Sequence, residues 1–201
     1  FTTLNWRTYR YVGIDVQTGN EPLTISDVKS QTVRYPFNKT SQASCSDKTM
    51  EKILEVGWRT LQLCAMDTYT DCPYYEQLQY VGDTRIQAMI TYFNTADDRL
   101  PKKAIQLIDA SRNSDGLTQS RYPSNKISLI PPFSLHWIGM VYDYSRYRDD
   151  AEFIKKQLNG VRQVLHFFEL YQEADGRLKD VPYWQFTDWA ENAGRNWKQG
   201  A

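Results

Sequence analysis

The sequence carries no surplus of charge. Its 24 basic and 24 acidic side chains cancel, so it lacks the basic excess that draws a protein to nucleic-acid phosphates. It has no apolar run near the ~20 residues that a membrane-crossing helix needs. Mean hydropathy is −0.64, as in a soluble globular chain. Histidine is scarce, with only His136 and His166. No spaced Cys/His cluster accompanies them, which argues against zinc. His136 is a poor candidate for metal or base, and His166 reads as structural. No Gly-rich phosphate loop, no GxSxG and no Cys/His pair with a third member occurs. No metal or cofactor is expected. Three cysteines cannot all pair internally, so Cys64 and Cys72 read as buried thiols rather than a disulfide. No leader is expected before Phe1; the length permits one or two domains, and the abrupt ends suggest a piece of a longer chain.

What is abundant is aromatic, with 14 Tyr and 6 Trp. Such rings stack on sugar faces, but they also fill cores, so position decides. The densest chemistry lies in TDCPYYEQLQYVGDTR, residues 70–85. It holds Asp71, Glu76 and Asp83 among Tyr74, Tyr75 and Tyr80. Acids among rings suit glycosidic cleavage. One carboxyl stays protonated because apolar neighbours raise its pKa, while others stay ionised and hold hydroxyl groups. The alternative is a helix-capping loop whose acids accept backbone N–H bonds.

The rest of the chain sets this loop among helices. Residues 1–39 read as extended, with strand formers Trp6 to Ile14 ended by Gly19-Asn20 and Pro22. Two more short extended runs follow, over 23–28 and 32–37. From Ser46, a candidate cap, the period turns helical through Met50, Ile53, Leu54, Trp58 and Leu61. Ile86, Met89, Ile90 and Phe93 give a second helix. Pro101 suits the first turn of a third. Residues 113–132 form a long loop, functional or mobile by length. Leu135, Ile138 and Tyr142 mark a fourth helix. Asp150 caps a fifth that runs along Phe153, Leu158, Leu165 and Tyr171 to a stop at Asp175-Gly176. An aromatic-dense loop follows, 182–189. No internal sequence repeat is evident.

The order Asp71-Cys72-Pro73, Glu76, Tyr80, Gly82-Asp83 resembles the catalytic loop of the α-L-rhamnosidases of glycoside hydrolase family 78. Ser46-Asp47 and the run through Trp58 resemble that family's lead-in helix. Leu135-His136-Trp137 and Thr187-Asp188-Trp189 resemble its later sugar-binding segments. Many members have Arg at the place of Tyr75 and Trp at that of Tyr80.

The resemblance implies a mainly α fold. It would be the first half of an (α/α)6 barrel of the six-hairpin glycosidase type, preceded by a short β segment. Residues 1–40 would then be that segment, from a preceding β-sandwich. Residues 41–201 would be the N-terminal part of a bacterial catalytic barrel, completed by the rest of the same polypeptide. It implies removal of terminal α-L-rhamnose from a glycoside or polysaccharide with inversion. Glu76 would be the general acid. Asp71, Asp83, Tyr80, Trp137, Asp188 and Trp189 would hold the sugar, with Trp184 beside them. Within the chain Asp188 and Glu191 are weaker candidates for the base, which the family places further on, so the chain alone is expected to fold without turning over. Trp137 also lies on a helical apolar stripe, where a core place competes. Two other functions stand beside this one: another (α/α)6-barrel enzyme acting on uronic or other deoxy sugars, and a non-catalytic helical carbohydrate-binding fragment. The sequence leaves the compartment open, with a periplasmic or secreted setting favoured over the cytoplasm.

Overall fold

In the computed structural model, which describes residues 5–189, five α-helices follow one another with loops between them. Helix α1 spans Lys48–Leu63, α2 Val81–Asn94, α3 Arg99–Ala110, α4 Pro131–Tyr147 and α5 Ala151–Glu169. Local chemistry sets their starts. Asp47, rather than Ser46, caps α1, and its Oδ1 accepts from the Thr49 N–H at 2.8 Å. A carboxylate there also meets the positive end of the helix dipole. Asp150 caps α5 in the same way, accepting from Phe153 N–H at 3.1 Å. Pro131 opens α4, where its missing N–H has no intrahelical partner to lose. Helix α5 ends before the expected stop. Asp175 and Gly176 instead turn the chain so that Gln172 and Leu178 meet in an antiparallel bridge.

Helix α2 lies along α4, with α3 and α5 flanking that pair and α1 against α2. Their shared core includes Leu61, Tyr69, Leu100, Ile105, Ile108, Met140 and Tyr144. Trp137 belongs to it as well. The indole is 0% exposed, its Nε1–H donates to the Ile105 carbonyl at 3.0 Å, and the Arg112 guanidinium lies 4.5 Å from its ring centroid. The apolar stripe of α1 is only partly covered. Leu61 is buried, whereas Met50, Ile53 and Leu54 are 46, 56 and 49% exposed.

The expected β segment forms no ladder, and no strand occurs among the described residues. A strand needs a neighbour to take its N–H and C=O groups, and the first three runs find none here. The lead-in touches the acidic loop near its start, where the Thr8 hydroxyl donates to Pro73 O at 2.5 Å, and docks on the helices at its end. Tyr35 N–H donates to Ala65 O at 2.7 Å, its hydroxyl to Asp97 at 2.9 Å, and Phe37 packs on Trp58.

The long loop between α3 and α4 is packed. Leu117, Thr118 and Ser120 are fully buried. Its backbone groups are satisfied by Ser134 Oγ, by the Asn113 side chain and by pairing of Ser120 with Ser128. Those bonds satisfy backbone groups that would otherwise be buried without partners.

Candidate active site

The acidic loop joins α1 to α2 and is closed at its base by Asp71. The Asp71 N–H donates to Leu78 O at 2.8 Å, and Asp71 Oδ1 accepts from Leu78 N–H at 2.9 Å. Cys72 Sγ accepts from Glu76 N–H, and the Gln77 side chain donates to Pro73 O at 3.0 Å. Gln77 takes φ 58°, a left-handed conformation that only such local bonding sustains. The result is a closed loop that carries Glu76 at an exposed tip.

Glu76 overlooks a cleft of about 550 Å³. The loop contributes Asp71, Glu76 and Tyr80. The first turn of α2 brings Asp83, and the segment after α5 brings Asp188 and Trp189. With Asp143 from α4, five carboxylates from four parts of the chain thus line one space. The same cleft has an apolar wall of Ile86, Met89, Ile130 and Phe133, continued by Trp184 and Phe186. The Trp184 and Phe186 rings lie 4.6 Å apart and those of Phe186 and Trp189 4.9 Å, so the aromatic loop forms a continuous strip.

Electrostatics differ within the cleft. Burial is the main cause holding Asp83 above the usual carboxylate range, and the charges of Asp71, Asp188 and Glu76 add to it. Burial also lowers His136, helped by the Arg85 charge, so its neutral form is favoured. Arg85 is tied up, with Nε donating to Asp143 Oδ2 at 2.7 Å and Nη2 to Oδ1 at 3.4 Å. Gly139 makes room for it, because a Cβ there would lie 2.5 Å from the guanidinium carbon. Among the described residues no cluster of His, Cys, Asp or Glu could hold a metal ion.

The structure therefore brings Asp71, Glu76, Tyr80, Asp83, Asp188 and Trp189 to one cleft and keeps Trp137 out of it. The helical period decides that case, since Trp137 faces the core while its neighbour His136 faces the cleft. Tyr74 and Tyr75 are not the apolar surroundings of Glu76. They pack edge-to-face on each other, and Tyr75 is 86% exposed. Low polarity comes from Ile86, Met89 and Phe133 on the helices. Glu191 lies outside the described residues. Arg85, Asp143 and Phe133 are absent from the sequence-based candidates. No spacing signal marks them, because Arg85 and Asp143 meet from helices 58 positions apart.

Residues 38–200 match the family model described as the bacterial alpha-L-rhamnosidase 6 hairpin glycosidase domain. Among solved structures, the chain is similar to the family 78 rhamnosidase of Bacillus sp. GL1. The identity is 27% and the TM-score 0.73, over 79% of this chain and 16% of that one. It is also similar to the rhamnosidase from Klebsiella oxytoca with rhamnose bound (20% identity, TM-score 0.66, 71% and 29%). A third is the alpha-L-rhamnosidase from Dictyoglumus thermophilum (20%, TM-score 0.62, 70% and 16%). No curated protein matches the chain. The chain spans less than a third of each solved relative's length. The five helices are part of an α/α barrel, and the chain belongs to the bacterial α-L-rhamnosidase six-hairpin glycosidase domain family.

Proposed function

We propose that the intact polypeptide carrying this chain removes terminal α-L-rhamnose from glycosides or polysaccharides with inversion at the anomeric carbon. The observation that carries this reading is the convergence of Asp71, Glu76, Asp83 and Asp188 on one cleft with an apolar wall. The rhamnose in the Klebsiella oxytoca relative's structure supports the choice of sugar. The cleft's own chemistry does too. A 6-deoxy sugar carries a methyl group that Ile86, Met89 and Phe133 would receive. A uronic acid would bring a further negative charge among five carboxylates, with Arg85 already neutralised by Asp143.

In this mechanism Glu76 gives its proton to the glycosidic oxygen as the bond to the anomeric carbon breaks. Water attacks from the opposite face, and a second carboxylate about 6.5–9.5 Å away takes its proton. We assign that base to the remainder of the polypeptide. Asp71 and Asp83 hold sugar hydroxyls, and Trp189 with Trp184 offers a stacking surface. Residues 1–40 are assigned to a preceding β-sandwich, whose own strands would complete the missing ladder. The remaining barrel helices would cover Met50, Ile53 and Leu54 of α1.

The test is Glu76→Gln in the intact polypeptide. General acid–base catalysis contributes about 10²–10⁴-fold. Turnover should fall by that order on an alkyl rhamnoside and much less on a nitrophenyl rhamnoside, whose leaving group hardly needs protonation. Equal losses on both substrates in a well-folded variant would move the search for the acid to Asp71 and then Asp83.

A further inference from the structure

Tyr80 lines the cleft, but its hydroxyl already has a partner. Residues 79–81 pair with residues 120–122 in antiparallel fashion. Val81 N–H donates to Ser120 O at 2.9 Å and Tyr122 N–H to Gln79 O at 3.2 Å. The Gln79 side chain adds a bond to Tyr122 O at 2.7 Å. Tyr80 and Arg121 stand directly opposite each other. Opposed residues in such a pair project their side chains to the same face. The guanidinium carbon accordingly sits 5.3 Å from the Tyr80 ring centroid, and Arg121 Nη1 donates to the Tyr80 hydroxyl at 2.6 Å. Phe133 braces the ring edge-on. Arg121 Nε is buried without a hydrogen-bond partner among the described residues, a cost accepted to hold the guanidinium in this place.

A phenol hydroxyl has one proton and can also accept. Accepting from Arg121 leaves the proton to be given away. Glu76 lines the same cleft, four residues earlier in the same loop. After burial, the interaction with Glu76 is the largest cause that raises the Tyr80 hydroxyl's pKa, while Arg121 works in the opposite direction. Glu76 itself sits at an exposed loop tip. Its side chain has several torsions to fix before its carboxyl can meet a leaving oxygen, and fixing them costs entropy.

We infer that Arg121 and Tyr80 are a positioning pair for Glu76: Arg121 fixes and polarises the Tyr80 hydroxyl, and that hydroxyl donates to one oxygen of the Glu76 carboxyl group, aiming the other, protonated oxygen at the glycosidic oxygen. This rests on the reading of Glu76 as the general acid. Arg121 touches no substrate in this arrangement. It comes from the loop between α3 and α4, so that loop contributes Arg121 behind Tyr80 as well as Ile130 on the cleft wall.

The experiment compares Tyr80→Phe, Arg121→Ala and the double variant in the intact polypeptide, on alkyl and nitrophenyl rhamnosides, with melting temperatures recorded. Loss of one hydrogen bond of this kind is worth about tenfold. Each single variant should lose about tenfold in kcat on the alkyl substrate, with KM within about twofold and the nitrophenyl rate nearly unchanged. The double variant should lose no more than either single one, because the two residues act as a unit. Arg121→Lys should restore part of the rate. Losses that are equal on both substrates, that add in the double variant, or that appear only in KM would overturn the assignment. Glu76→Gln in the same series separates the two readings. If it lacks the leaving-group dependence, the acid assignment fails. If it shows the dependence while Tyr80→Phe does not, the positioning pair alone fails.

Discussion

Gly139→Ala should destabilise the domain, although alanine is the better helix former. Gly139 lies inside α4. A Cβ there would stand 2.5 Å from Arg85 Cζ and Nη1 and 2.8 Å from Nε, where contacting carbons sit about 3.5–4.0 Å apart. The guanidinium must therefore withdraw by about 1 Å. It is the end of a flexible side chain, but both of its inner bonds go to Asp143, at 2.7 and 3.4 Å. Asp143 is only 8% exposed, so losing this partner strands a carboxylate in a low-dielectric place. A hydrogen bond between charged groups is worth about 1.5–3 kcal/mol. The Arg85 side chain is 36% exposed, so solvent screens the pair and the lower part of that range applies. Alanine in a helix interior gives back about 1 kcal/mol relative to glycine. The net loss is about 0.5–1 kcal/mol, or roughly 1–4 °C in melting temperature for a domain of this size. Calorimetry of the intact polypeptide would measure it on the domain's transition. The sign should reverse in an Arg85→Ala background, where the Cβ meets no guanidinium and only the helix gain remains. A higher melting temperature for Gly139→Ala beside wild-type Arg85, or the same loss in both backgrounds, would refute the reasoning.

Asp83→Asn should weaken rhamnose binding about tenfold or more, since a charged hydrogen bond to sugar is worth about 1.5–3 kcal/mol; calorimetric titration checks it, and unchanged affinity would count against the role. The same variant should melt higher than wild type at pH 7, with the gap closing toward pH 3. Asp83 has a native pKa raised by burial and then by its carboxylate neighbours. Its contribution is fully present at low pH and is lost as pH rises through that native pKa, whereas Asn has nothing to ionise. Burial, with Cys72 and Asp71 adding to it, pushes the Cys64 thiol up to about 11. Maleimide at pH 8 should therefore label the exposed Cys45 in the native protein and reach Cys64 only after denaturation; equal labelling rates would show that the Cys64 site opens.

The sequence by itself determined the parts whose chemistry is local. The 3.6-residue periods gave the helices, because side chains on one face must recur at that spacing. Asp150 capped α5 for the same kind of reason: its carboxylate reaches only the N–H groups next to it. The crowding of Asp71, Glu76 and Asp83 into one short stretch was readable too. Tertiary structure alone decided which faces are covered. Periodicity put Trp137 on an apolar stripe, and the neighbours Ile105 and Arg112 made that stripe core rather than cleft. It also left Tyr75 in solvent and gave the apolar wall to Phe133 and Met89. The first 39 residues show the limit from the other side. Their β-branched and aromatic runs favour an extended backbone, but a ladder needs a second chain segment at the right distance, which propensity does not supply. The pairs that organise the site, Arg85 with Asp143 and Arg121 with Tyr80, join residues 58 and 41 positions apart. No local spacing encodes such a meeting, because it exists only once α2, α4 and the loop between α3 and α4 have packed together.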